Sequence, residues 1–218
     1  MDSKTVLEIY DEFCVPVHIR RHMVMVCAVA TVIADSLTQT ANSQNTHIDL
    51  KSLQYACLMH DALKIYTINN YETPIFKHQT SPQDLETWSK LKQKHINTAD
   101  SQAMADYLTA KGETKIGTII QKHDFSSINK PEFQPYSLEE KILYYADKRV
   151  LHDQVVSLEE RITDGRIRYP QNKAQTMKGL VIENILFELE TELLNAELRA
   201  DLRHPSQQEF LKLAVQYL

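Results

Sequence analysis

Residues 53–64 have the sequence LQYACLMHDALK, in which an apolar run ends on a histidine followed by an aspartate. Four residues share one helical face at positions i, i+3, i+7 and i+10: Leu50, Leu53, Cys57 and His60. A histidine and a carboxylate that end a buried face need polar partners, and a metal ion is one such partner. The segment therefore predicts a helix that delivers His60 and Asp61 to a buried polar site.

The composition favours an all-α protein. The 218 residues are 43% hydrophobic, enough for a sizeable core, yet they contain only 4 glycines and 7 prolines. So few turn formers indicate long helices with short loops and not a many-stranded sheet. Four residues are well placed to begin helices, three of them as part of capping signals: Asp49, Ser81, Ser137 and Ser157.

Charge, cysteine usage and the N-terminus predict the kind of partner and the cellular compartment. The net charge of −5 and the lack of a strongly basic block argue against a nucleic-acid duplex as partner. The three scattered cysteines are typical of reduced thiols in a cytoplasmic protein. The N-terminus lacks the apolar segment of a signal peptide, and the apolar run 23–34 is too short to span a bilayer. We expect no membrane association and a buried helix over that run.

Three further polar residues stand on apolar helical stripes: His22, His123 and Asp147. For an isolated histidine the ordinary interpretation is a core residue bonded to backbone, and for an isolated carboxylate it is an ion pair with arginine. His18 and His22 have the i, i+4 spacing of a zinc-peptidase helix. That motif requires glutamate directly after the first histidine, where this chain has Ile19.

Taken together, these polar residues indicate a shared partner. Burying so many imidazoles and carboxylates separately would cost several kcal/mol, at about 1–3 kcal/mol for each unpaired group. A divalent cation bound by nitrogen and oxygen removes that cost. Because cysteine is absent from the set, the pattern favours a catalytic centre with open positions over a closed structural zinc site.

Three segments carry a family resemblance: VPVHIRRH at 15–22, CLMHDALK at 57–64 and EKILYYADKRV at 140–150. Their order, a histidine, then His-Asp, then a last aspartate, resembles the signature of the HD-domain metal-dependent phosphohydrolases. The resemblance covers about residues 15–155 and implies an all-α bundle over 1–155. Residues 156–218 would form a C-terminal helical extension packed on that core.

The resemblance also implies the ligands of the metal. A first ion would be bound by His22, His60, Asp61 and Asp147. Members with two ions add two histidines between the His-Asp pair and the last aspartate, and His95 and His123 lie in that interval. One or two divalent ions are expected, and the sequence does not distinguish Mn, Fe, Ni, Co, Zn and Mg.

The catalytic interpretation follows from metal chemistry. A bound ion lowers the pKa of coordinated water and polarises a phosphoryl oxygen. Asp61 could orient the water, and Lys64, one turn beyond His60, could neutralise the phosphate, although an ordinary exposed lysine is an equal alternative. Arg20 and Arg149 are weaker candidates for binding the substrate.

The remaining segments are predicted as framework. Helices are expected over 138–153, 157–164, 174–200 and 207–217, with packing or oligomerisation as their role, which leaves a homodimer open. The loop 67–80 is a candidate rim of the active site. Three arginines near the end of one helix are interpreted as a solvated basic rim in preference to a substrate contact: Arg161, Arg166 and Arg168.

The sequence therefore predicts a cytoplasmic metal-dependent phosphohydrolase acting on a small phosphorylated molecule, most plausibly a nucleotide. Nucleoside monophosphates, dinucleoside polyphosphates and, within the same class, cyclic nucleotides remain alternatives. Two other classes stay open: a catalytically silent HD domain that binds a ligand to regulate a partner, and a structural helical module.

Overall fold

The computed structural model describes residues 3–40, 47–71, 80–168, 177–203 and 205–217. Within those ranges the chain forms eleven α-helices, short 3-10 turns and one two-stranded antiparallel hairpin. The expected all-α class is therefore confirmed.

The helices are α1 (Ser3–Glu12), α2 (Val17–Thr40), α3 (Leu50–Met59), α4 (Pro82–Lys94), α5 (Asp100–Ala110), α6 (Thr114–Gln121), α7 (Leu138–Asp147), α8 (Leu158–Arg168), α9 (Met177–Leu193), α10 (Ala196–Arg203) and α11 (Gln207–Ala214). The hairpin pairs β1 (Val150–Leu151) with β2 (Gln154–Val155). The 3-10 turns are Lys64–Thr67, Ser127–Asn129, Pro131–Phe133 and Val215–Tyr217.

Helix α2 is the central element of the core. Every residue from Met23 to Ala30 is buried, and the helix contacts α3, α7, α11 and the hairpin. A helix that is apolar around its circumference needs such neighbours on all sides. By length and composition alone, Val17–Gln39 could also cross a membrane, and 61% of its most apolar window is buried inside the protein. The helix is thus longer than the twelve-residue run that the sequence singled out.

The helix starts predicted at Asp49, Ser81, Ser137 and Ser157 are confirmed. Asp49 caps α3 by accepting a hydrogen bond from the backbone N–H of Ser52 at 3.0 Å. Ser81 and Ser137 form complete capping boxes at α4 and α7, and Ser157 bonds reciprocally with the residue three positions later at α8. These local bonds satisfy N–H groups that the first helical turn leaves without partners.

The predicted end of α7 is wrong. The helix was expected to reach residue 153, but it ends at Asp147, and the chain turns back as the hairpin. Val150 and Val155 are β-branched and pair across the two strands, and His152 takes a left-handed conformation with φ of +59° in the turn between them. The early end leaves Asp147 at the last position of its helix, close to the turn.

Two C-terminal helix boundaries are also corrected. Helix α8 continues past Gly165 to Arg168, with an i, i+4 ion pair between Asp164 and Arg168 that spans the glycine. The helix expected over 174–200 is two helices, because Asn195 interrupts it and accepts a hydrogen bond from the backbone N–H of Leu198 at 2.8 Å. Residues 174–176 lie outside the described ranges. So do residues 72–79, which form most of the predicted active-site rim.

Candidate metal centre

Four elements bring five of the predicted site residues together. His22 lies in the second turn of α2, and His60 and Asp61 directly follow α3. His123 follows α6, and Asp147 is the last residue of α7. Ligand atoms of His22, His60 and Asp61 lie within 4.8 Å of one another. The ends of four helices therefore converge on one point.

His60 is the most confined member of the group. Its side chain has 0% exposure, and its Nδ1 donates to the carbonyl oxygen of Cys57 at 2.8 Å. Because a carbonyl can only accept, the proton is on Nδ1, and Nε2 of the neutral ring presents a lone pair. That Nε2 is buried and has no hydrogen-bond partner among the described residues. It lies 3.6 Å from Asp147 Oδ1 and 3.9 Å from Asp61 Oδ2.

The other two imidazoles have the same orientation. His22 Nδ1 lies 2.8 Å from the carbonyl oxygen of His152, in the hairpin turn, and His123 Nδ1 lies 2.7 Å from that of Ile120. Each Nδ1–H therefore donates to backbone, which fixes the tautomer and turns Nε2 toward the centre. His22 Nε2 is 3.0 Å from Asp147 Oδ1, and His123 Nε2 is 3.3 Å from Asp61 Oδ1.

When the imidazole rings are neutral, the Nε2 atoms and carboxylate oxygens that face one another here are all hydrogen-bond acceptors. An imidazole lone pair and a carboxylate oxygen repel at 3.0 Å unless a proton or a metal ion lies between them. Three Nε2 atoms and two carboxylates make a nitrogen and oxygen donor set that suits a borderline or hard divalent cation. The buried, unpartnered Nε2 of His60 is the atom that such an ion would satisfy.

Both carboxyl groups are held in the ionised state. Burial alone would raise the pKa of Asp61, but Lys64, His60 and His123 keep that pKa well below its usual range. Burial would likewise raise the pKa of Asp147, which is held well below its usual range by neighbouring cationic and imidazole groups, above all by the adjacent Lys148. Both groups are therefore available as anionic ligands at neutral pH.

Two lysines and a second aspartate complete the polar network. Lys64 Nζ lies 3.6 Å from Asp61 Oδ1 and 3.5 Å from Asp100 Oδ2. Lys148 is buried, donates to Asp147 and also donates to the carbonyl oxygen of His123 at 3.2 Å. Lys64 was a sequence candidate, but Lys148 and Asp100 were not. Lys148 directly follows a predicted ligand, whereas Asp100, the first residue of α5, has no comparable signal in the sequence.

Three predicted site residues lie elsewhere. His95 follows α4 and stacks on Tyr66, with ring centroids 5.4 Å apart. Arg20 donates to the carbonyl oxygens of Val15 and Tyr10, at the N-terminal end of the core.

Arg149 is 1% exposed and turns toward the C-terminal helices. It donates to the carbonyl oxygen of Leu202 and to the hydroxyl of Tyr145. The structure does not bring Arg149, Arg20 or His95 to the cluster.

A cavity of about 920 Å³ opens beside the centre. Its lining includes five residues of the centre: His22, Asp61, Lys64, His123 and Asp147. Residues of α8 and α9 also line it, so the C-terminal segment contributes to the cavity as well as to packing. The volume falls in the range of about 300–1,000 Å³ that is typical of small-molecule sites.

The chain matches no protein-family model, no curated protein and no solved structure. Its function is therefore inferred from the chemistry of the site.

Proposed function

We propose that this protein is a metal-dependent phosphohydrolase that cleaves a phosphoester of a small molecule. One divalent ion would be bound by His22, His60, Asp61 and Asp147. The observation that carries the proposal is the fully buried Nε2 of His60, which faces two carboxylates and has no hydrogen-bond partner among the described residues. Its fixed tautomer supports a metal ligand over an ordinary core histidine.

A single ion fits the arrangement better than two. A second ion would need Asp61 Oδ1 and His123 Nε2, which lie 3.3 Å apart. The ammonium group of Lys64 lies beside the same Oδ1 at 3.6 Å and also beside Asp100. A fixed positive charge at this position repels a second cation. In this proposal Lys64 supplies the second positive charge.

The residues have separate parts in the reaction. A bound ion polarises a phosphoryl oxygen and lowers the pKa of the water that it coordinates. Lys64 is positioned to neutralise negative charge on the phosphoryl group. Burial lowers the pKa of His123, but its hydrogen bond to Asp61 and that carboxylate's charge outweigh the effect, and its pKa is raised overall. A protonated His123 can therefore donate to the leaving oxygen.

The cavity supports a nucleotide as the substrate. Apolar residues lie on its walls, among them Phe125, Leu151 and Leu186, and they offer a surface for a base or another flat group. Cationic residues occupy the same cavity and suit a phosphorylated molecule.

Free cysteines, two of them buried, are consistent with a cytoplasmic protein.

The test is phosphate release from nucleoside monophosphates, dinucleoside polyphosphates and cyclic nucleotides, with manganese, iron(II), nickel or cobalt supplied. The Asp61→Ala variant should lose turnover. The Asp153→Ala variant is the matched control, because it alters another His-Asp dipeptide whose aspartate does not line the cavity. Metal binding without turnover on any substrate would favour a ligand-sensing or structural role instead.

A further inference from the structure

Part of the cavity lining belongs to the C-terminal part of the chain, outside the region of family resemblance. Helix α8 contributes three arginines to it: Arg161, Arg166 and Arg168. The sequence pattern favoured a solvated basic rim for all three. In the structure the three arginines differ from one another in their contacts with carboxylates.

Two of these arginines are engaged by carboxylates. Arg166 donates through Nε to Glu183 of α9 at 3.1 Å and makes a second contact with the same carboxylate through Nη2. Arg168 donates through Nε to Asp164 at 2.7 Å, one turn earlier on its own helix. Paired guanidinium groups of this kind hold the two helices and the end of α8 in place.

Arg161 is much less satisfied. Its closest ionic contact is Nη1 to Asp164 Oδ2 at 3.5 Å, and that oxygen already accepts from Arg168. Its Nε is buried and has no hydrogen-bond partner among the described residues. The side chain is 24% exposed and lines the cavity. A guanidinium group has five donors, and a largely buried one whose Nε has no acceptor and whose closest ionic contact is at 3.5 Å is costly unless a ligand supplies further acceptors.

We propose that Arg161 binds a second oxyanion of the ligand, a phosphoryl or carboxylate group, while a first phosphoryl group lies at the metal centre. The ligand would then be a small molecule with two anionic groups. The position of the first group rests on the proposed function. Arg161 would act as a specificity-determining residue, because a planar guanidinium can bind an oxyanion through two parallel hydrogen bonds.

Calorimetric titration with non-hydrolysable compounds tests the proposal. The manganese-loaded protein is titrated with a series of α,ω-alkylene bisphosphonates of increasing length and with the alkyl monophosphonates of matching length. We expect at least one bisphosphonate to bind about tenfold or more tightly than its monophosphonate partner, the gain of one charge-assisted contact. An ω-phosphonocarboxylate of the best length then shows whether a carboxylate is accepted at the same position.

Variants locate the second anion. Arg161→Gln should abolish the preference for the bisphosphonate and leave monophosphonate binding unchanged. Arg161→Lys should retain part of that preference, because lysine keeps the positive charge but lacks the two parallel N–H donors of a guanidinium group. The matched control is the double variant Arg166→Gln/Glu183→Gln, which removes an arginine from the same helix at constant net charge and should keep the preference. The proposal is overturned if the wild type shows no preference, if Arg161→Gln retains it, or if the double variant loses it equally.

The result is separable from the hydrolase assay, because bisphosphonates are bound without turnover. An Arg161-dependent preference in a protein that releases no phosphate would overturn the proposed hydrolysis and keep the second anion site. Phosphate release that does not respond to Arg161→Gln, together with no preference for a bisphosphonate, would keep the proposed hydrolysis and overturn the second anion site.

Discussion

Replacing either carboxylate of the centre by asparagine should remove metal binding, but the two variants should differ in stability. Asp147 is paired with Lys148, whose side chain is 8% exposed and also bonds the carbonyl oxygen of His123. Asp61 is paired with Lys64, whose side chain is 44% exposed. Asp61→Asn therefore leaves a lysine that reaches water and still has Asp100 at 3.5 Å, whereas Asp147→Asn leaves a buried ammonium group.

The difference can be estimated from these environments. Removing one partner of a buried ion pair costs about 3–5 kcal/mol, because an uncompensated charge remains in the core. Removing one partner of a partly exposed pair costs about 0–1 kcal/mol. Both variants also remove a carboxylate from the same cluster of acceptors, and that contribution largely cancels between them. We expect Asp147→Asn to lower the free energy of unfolding by about 3 kcal/mol more than Asp61→Asn.

Urea unfolding followed by circular dichroism, in buffer with EDTA, measures this difference without metal. Equal slopes of the free energy against urea would show that the change lies in stability and not in the extent of unfolding. Equal losses in the two variants, or a larger loss for Asp61→Asn, would refute the assignment of Lys148 as a buried cation that depends on Asp147.

Three further outcomes are expected. Arg149→Met should destabilise the protein by about 3–5 kcal/mol in urea unfolding, because the buried ion pair with Glu190 and the hydrogen bond to the carbonyl oxygen of Leu202 are lost. The metal content of this variant should stay unchanged, and a loss of metal would restore Arg149 as a site residue. The raised pKa of His123 stabilises the metal-free fold below its ordinary value of 6.5, and this stability is lost as the pH rises through the raised pKa. A protonated His123 beside Asp61 repels a cation bound at that carboxylate, so the increase in Tm on adding Mn²⁺ should grow from about pH 6 to about pH 8, and a constant or shrinking increase would contradict the placement of the ion beside His123. Burial raises the pKa of Cys27 to about 12, so a thiol reagent at about pH 8 should modify Cys14 alone in the native protein and all three cysteines after unfolding; rapid modification of a second thiol in the native state would contradict the packing.

The composition predicted the fold class, and helical periodicity predicted most of the residues that meet at the centre. His22, His60, His123 and Asp147 each occupy a position where the pattern requires a core residue, and long-range packing then brings these positions together. The capping motifs predicted helix starts well, because a cap is a local interaction between residues three positions apart.

The parts that the sequence did not reveal depend on non-local contacts. The hairpin that ends α7 supplies the carbonyl oxygen of His152 to His22, which lies 130 positions earlier in the chain. Arg149 stands on a segment rich in site residues, but its guanidinium turns toward α10. His95 has suitable spacing along the chain, yet its helix places it against Tyr66. Spacing in sequence indicates the residue type that is available, and tertiary packing decides which residues meet.

Metal content tests the central claim most directly. Wild-type protein, His60→Ala and His95→Ala are loaded with manganese or iron(II), freed of excess metal by gel filtration and analysed by elemental mass spectrometry. The geometry predicts about one ion per chain in the wild type and in His95→Ala, and none in His60→Ala, because His60 presents a buried lone pair to the carboxylates and His95 lies elsewhere. A folded His60→Ala variant that keeps its ion, a wild type that retains none, or a loss of metal in His95→Ala would contradict the proposed centre.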